Sequence, residues 1–140
     1  MAAISVTAAS VLPGTGSDTV IQEGTLGETV TAGMPLYRKI SDSKLYKADG
    51  NASAEAAAVV GISIGGGDAG QPIKFQSGGT YTAGATLLPG MVYLPGLTAG
   101  TIIPVTDLAN GQYTCVIGIA TTASLMKLGI LQCGIVAAIS

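Results

Sequence analysis

The stretch MPLYRKISDSKLYKADG, residues 34–50, holds four of the six basic residues in a chain where only 10% of residues are charged. Two apolar pairs, Leu36-Tyr37 and Leu45-Tyr46, flank a polar centre, Ser41-Asp42-Ser43. Asp and Ser side chains bond their own backbone in turns, and Asp49-Gly50 is a second turn signal. The pattern predicts two strands, 35–39 and 44–48, paired as a hairpin around the first turn.

Outward from this hairpin the same grammar repeats. Short β-type runs at 28–31, 59–64, 73–76, 79–82, 91–94, 102–106, 113–121, 125–131 and 135–139 are separated by Gly, Pro, Asn and Asp. Many short strands with turn residues between them predict a mainly β protein, a small β-barrel or β-sandwich with a β-tulip-like outline. NASAEAAA, 51–58, is the one expected helix, short because one or two turns of Ala-rich helix are marginal alone. Residues 1–25 read as an extended N-terminal arm. There Ile4-Ser5-Val6-Thr7 alternates, LPGTGSD (12–18) interrupts, and Val20-Ile21 follows. Residues 26–140 are the β-rich body.

The body contains a weak internal repeat, 27–76 against 84–133. A shift of 57 residues sets Gly27 on Gly84, Thr29 on Thr86, Gly33 on Gly90, Met34 on Met91 and Gly61 on Gly118. Val30 then meets Leu87, Val60 meets Ile117, Ile62 meets Ile119 and Ile73 meets Ile130. Duplication accounts for this, and so does coincidence in a chain with 21 glycines. Gly61 and Gly118 are expected at close backbone approaches or bulges, and Val60, Ile62, Ile117 and Ile119 in the core.

Net charge is −2 and pI about 4.7, with Lys74 and Lys127 the only cations after Lys47. Holding nucleic acid by its phosphates needs clustered Lys and Arg, so nucleic acid is not an expected partner. The most apolar stretch, 125–139, is too short for a membrane span and contains Lys127, Gln132 and two glycines. Residues 1–12 lack the basic n-region and sustained apolar core of a signal peptide, which points to the cytoplasm as the place of synthesis. Cys115 and Cys133 sit in apolar runs. They read as small buried residues in a reducing compartment, with a bond between neighbouring strands as the alternative. The chain has no His, so a two-Cys metal site lacks ligands and a Ser or Cys nucleophile lacks its usual base. The eight carboxylates are scattered. GGGDAGQP (65–72) lacks the Gly-Lys-Ser/Thr ending of a phosphate loop, and DGN (49–51) is too short for a calcium loop. The expectation is therefore no enzyme, no metal and no cofactor.

Several short motifs occur in order: Met34-Pro35-Leu36, Ser43-Lys44-Leu45, Ala48-Asp49-Gly50, Ala57-Ala58-Val59-Val60-Gly61-Ile62, Ile73-Lys74-Phe75 and SGGTY (77–81). This succession, over about residues 33–81, resembles the head-decoration proteins of lambda-like phages. GATLLPGMVYLPGLTAG (84–100) followed by YTCVIGIATT (113–122) is similar to the wider group of small phage capsid-cement proteins. The second half is longer than in the lambda-like proteins. The resemblance implies a structural protein, made in the host cytoplasm and placed on the outer capsid surface of a virion. There it clamps neighbouring copies of the major capsid protein, commonly as a homotrimer. It also implies an arm that pairs with the shell. Ile4, Val6, Val11 and Leu12 are the expected contact positions, and a body that stays folded without residues 1–20 is expected. Arg38, Lys39, Lys44 and Lys47 are either a solvated hairpin face or a contact for acidic capsid residues. The alternatives are a phage tail, head-fibre base or other surface-binding β module, and a small β-barrel enzyme or ligand binder.

Overall fold

The computed structural model describes residues 3–108 and 110–136. The chain is mainly β, built as one curled antiparallel sheet that forms a half-barrel. Its strands are β1 (Val11–Leu12), β2 (Val20–Thr25), β3 (Pro35–Arg38), β4 (Leu45–Lys47), β5 (Gly61–Ser63), β6 (Pro72–Ala83), β7 (Val92–Pro95), β8 (Ile102–Pro104), β9 (Tyr113–Ala120) and β10 (Leu125–Val136). The sheet order is β4-β3-β5-β6-β10-β9-β7-β8, with β1 and β2 also paired to β6. The single short helix α1 (Ala54–Ala57) starts at Ser53, whose hydroxyl accepts from the Ala56 N–H at 3.1 Å. One turn is marginal alone, and it is held because Ala56 and Ala57 are buried.

Pairing follows the predicted hairpin. Tyr37 stands opposite Tyr46, and the ladder continues through the Lys39 N–H to the Lys44 carbonyl. The same arrangement recurs 57 residues later. The pair Leu36–Lys47 becomes Tyr93–Pro104, Arg38–Leu45 becomes Pro95–Ile102, and Leu36–Gly61 becomes Tyr93–Gly118. Gly33 donates to the Ser63 carbonyl and Gly90 to that of Ala120, and both glycines have a left-handed backbone, φ +88° and +83°. The common offset ends at the next turn, which is longer after β5 than after β9. Beyond it Gln76, opposite Ile62, corresponds to Lys127, opposite Ile119. The expected match of Ile73 with Ile130 therefore fails.

Three other expectations change. Residues 28–31 form no strand; Val30 makes only an isolated bridge to Gly67. Runs 73–76 and 79–82 are one strand, β6, continuous through Gly78-Gly79, where Thr19 leaves no room for a Cβ at Gly79. Runs 125–131 and 135–139 likewise merge into β10, and residues 137–139 lie outside the described residues.

The concave side encloses one core of Val59, Ile62, Tyr81, Tyr93, Ile102, Ile117 and Met126 among others. A smaller core gathers Leu26, Val30, Leu36, Leu45, Ile73 and Phe75. The sheet ends are drawn together where Gly50 donates to the Gly96 carbonyl at 2.7 Å and Gly100 to that of Ala48 at 2.9 Å. Cys115 is buried in the main core, and the side chain of Cys133 lies outside the described residues, as does the question of a bond between them.

Candidate functional site

The segment expected as an arm is extended chain, broken by a 3-10 turn at Ala8–Ser10, and it lies along the body. Ile4 donates its N–H to the Ile102 carbonyl at 2.9 Å and so covers the outer edge of β8. Thr7 donates to the Gly84 carbonyl at 2.8 Å. Ile4 and Val6 pack, half-buried, on the main core. Val11 is a core residue, 6% exposed, and is not a free contact position. Leu12, its neighbour on the other face of β1, is 56% exposed. Behind β1 the chain is latched by buried Gln76. Its Oε1 accepts from the Gly14 N–H at 2.9 Å, and its Nε2 donates to the carbonyls of Gly78 and Thr80. Removing residues 1–20 would strip Val11 out of the core, so the expectation of an intact body without them is revised.

The basic hairpin does not gather its cations. Arg38 donates from Nη1 to the Ser43 carbonyl at 3.0 Å. Lys47 Nζ is 3.9 Å from Glu28, and its stem packs over Gly100 and Met34. Lys39 sits over the Tyr46 ring, 4.9 Å from its centre, on the opposite face of the hairpin from Lys47. Lys44 is exposed at the turn, its N–H bonded to Asp42. Tyr46 donates its hydroxyl to Asp42 at 2.5 Å, and its ring centre is 5.9 Å from that of Tyr37. That hydrogen bond, with some desolvation of the ring, pushes the Tyr46 phenol up to about 12. The same bond and the one from the Lys44 N–H hold the Asp42 carboxyl below its ordinary value. Burial raises the Tyr37 phenol, and Glu55, Glu28, Asp42 and Asp49 raise it further. The field at this face is thus set by four carboxylates as much as by the lysines. Its charges are largely spent on neighbours in the chain.

A second surface, which the sequence reading missed, lies on the convex side of β9 and β10. Residues 84–140 contain only two charged side chains, Asp107 and Lys127. Ile119 is 46% exposed, in contrast to the core position expected for it, while Ile117 is fully buried. Period-2 alternation predicts the same face for both. The phase changes because β10 inserts one extra residue, with 129 and 130 between Leu128 and Leu131 set against Ile117 of β9. Such a bulge turns one set of side chains over. Val116, Ile119, Lys127 and Gly129 then line an open apolar groove of about 320 Å³. Leu131 and Ile135 extend the apolar surface along β10, at 67% and 66% exposure. The signal for this in the sequence is the scarcity of charge over residues 84–140.

Among the described residues no group of three or more His, Cys, Asp or Glu side chains could hold a metal ion, and no helix is long and apolar enough to cross a membrane. What the geometry offers is apolar contact area and open strand edges, which suit association with another protein surface. No family model and no curated protein matches this chain.

Proposed function

We propose that the protein is a non-enzymatic structural component of a phage virion that binds the outer capsid surface and cements neighbouring major capsid proteins, acting as a homotrimer. The observation that carries the reading is that the motif run over 33–81 lies on four adjacent strands of the sheet, β4-β3-β5-β6. Met34-Pro35-Leu36 opens β3, Ser43-Lys44-Leu45 closes the hairpin, and Ala48-Asp49-Gly50 reaches the far end of the sheet. Val59 and Ile62 are fully buried, and SGGTY spans the crossing of β6 between its two sets of partners.

In this reading the arm exchanges partners. Residues 3–7 leave the β8 edge and the Gly84 carbonyl and pair with a strand of the shell. Each backbone bond contributes only about 0.5–1.5 kcal/mol net, so the exchange is reversible for one arm. Several arms on one oligomer hold through effective concentration. The charged hairpin faces water: Arg38, Lys39 and Lys47 lie against groups of their own chain, and Lys44 is exposed at the turn.

The test is co-sedimentation with expanded, undecorated capsids, comparing the full chain with a variant lacking residues 1–7, which keeps Val11. Saturable binding by the full chain, weakened by the truncation, is expected. Absence of binding to every capsid form, with the protein instead recovered in virion tail fractions, would favour a tail or head-fibre module.

A further inference from the structure

Strand β2 has almost no cover. Five of its six residues are exposed, so both of its faces meet water, and among the described residues it pairs on one side only, with β6. Its apolar residues Val20 and Ile21 are 46% and 43% exposed and lie between the carboxylates of Asp18 and Glu23. An extended strand with a free edge is a template for further pairing.

β10 presents a matching edge. Its pairing with β6 ends at Leu128, whereas its pairing with β9 runs on to Val136. Along 129–136 one side of β10 therefore has no partner strand among the described residues, although α1 packs against β10 and Gln132 Nε2 donates to the Val59 carbonyl at 2.6 Å. Native edges are commonly protected by charge or Pro, and LGILQCGIV (128–136) has neither. The nearest charge is the cation of Lys127, on the same outer face as Ile119.

We infer that β2 of one copy of this chain adds antiparallel to the 129–136 edge of β10 in a second copy. Setting Ile21 opposite Leu131 pairs two exposed apolar side chains. It also sets Glu23 opposite Gly129 and diagonal to Lys127, within reach of an ion pair. A Cβ at Gly129 would meet nothing within 4 Å, so there is space for the Glu23 side chain to cross. Glu23 is engaged in its own chain only by an exposed pair with Lys74 at 3.9 Å, which exchanges readily. The bulges in β10 keep the added ladder short, so the apolar pair and the Glu23–Lys127 charge match select the partner. β2 and β10 are different patches, so the contact is head-to-tail, and each copy both donates and accepts. Such a contact closes into a ring when its rotation permits.

This contact rests on the self-association in the proposed function and not on capsid binding, and the two fail separately. The test is sedimentation velocity of the full chain beside Leu131→Asp, Ile21→Asp, Lys127→Glu and the double swap Lys127→Glu/Glu23→Lys, with circular dichroism to verify folding. These are exposed positions, so the fold should persist. The wild-type chain should sediment as an oligomer, each single variant should shift to monomer, and the double swap should recover the oligomer. A monomeric wild-type chain would overturn the inference whatever the capsid result. So would an oligomer indifferent to any of the single changes, or one lost with Leu131→Asp but kept with Ile21→Asp, which would mean β10 pairing with itself.

Discussion

Gly61 and Gly118 occupy the same place in two strands 57 residues apart. A Cβ on Gly61 would stand 2.8 Å from the Gln76 carbonyl oxygen, and one on Gly118 would stand closer still to that of Lys127. In both cases backbone of the next strand blocks the site and cannot step aside as a flexible side chain does, and at Gly61 the buried Phe75 ring stands nearer still. Gly61→Ala and Gly118→Ala are therefore expected to cost about 1–3 kcal/mol each by forcing β5 from β6 and β9 from β10. Urea unfolding would show this as a lower midpoint with an unchanged slope.

Ser43 and Gly100 hold equivalent positions in the two hairpin loops, with φ of +60° and +82°. A left-handed backbone costs a non-glycine residue about 1–2 kcal/mol, and glycine gives back part of that gain as unfolded-chain entropy. Ser43→Gly should stabilise the fold by about 0.5 kcal/mol. Gly100→Ser should destabilise it, with added crowding against the Lys47 stem, 3.0 Å from where a Cβ would sit. Paired thermal melts that moved the other way would refute the equivalence of the loops.

Val11 and Gln76 hold the N-terminal segment to the body. Val11→Ala removes two buried methyl groups and should cost about 1–2 kcal/mol. Gln76→Leu leaves the Gly14 N–H and the Gly78 and Thr80 carbonyls without this partner, at a cost of about 1–3 kcal/mol. Proteolysis should discriminate the two roles. The Gln76 variant should be cut faster at 13–19 while the remaining body stays resistant.

Tyr46 and Asp42 give the hairpin a pH signature. The hydrogen bond favours the neutral phenol, so its contribution to stability is complete below the ordinary tyrosine value of 10.0. It is lost as pH rises from there through about 12. Asp42 contributes in the opposite sense. Its carboxyl is held low, so stability present above 3.8 is lost as pH falls below that value. Phenolate absorbance, compared with a Tyr46→Phe variant, should show one tyrosine titrating near 12, and Asp42→Asn should bring it down toward 10.0.

Local chemistry made much of this protein legible from its residues. The 34–50 hairpin, the short helix within 51–58 and the turn glycines all depend on neighbours close in sequence, and pattern reads them well. Ile62 and Ile117 were correctly placed inside because strand alternation is local too. Ile119 was misplaced because the bulge that turns it outward lies in a different strand, β10. The compensation of Arg38 and Lys47 was equally hidden, since Glu28 and the Ser43 carbonyl reach them only after folding.

The sequence by itself determined a mainly β chain with turn positions and one short helix, because turns and periodicity are properties of a few consecutive residues; it left the 57-residue repeat open between duplication and coincidence. Only the tertiary structure decided that the N-terminal segment lies on the body through Ile4, Val11 and Gln76. It alone decided that β6 runs unbroken past Gly79, and that β2 and the 129–136 part of β10 each lack a partner strand on one side among the described residues. Those outcomes depend on which distant backbone groups meet, and the free energy of pairing two strands is set by the partner as much as by the strand.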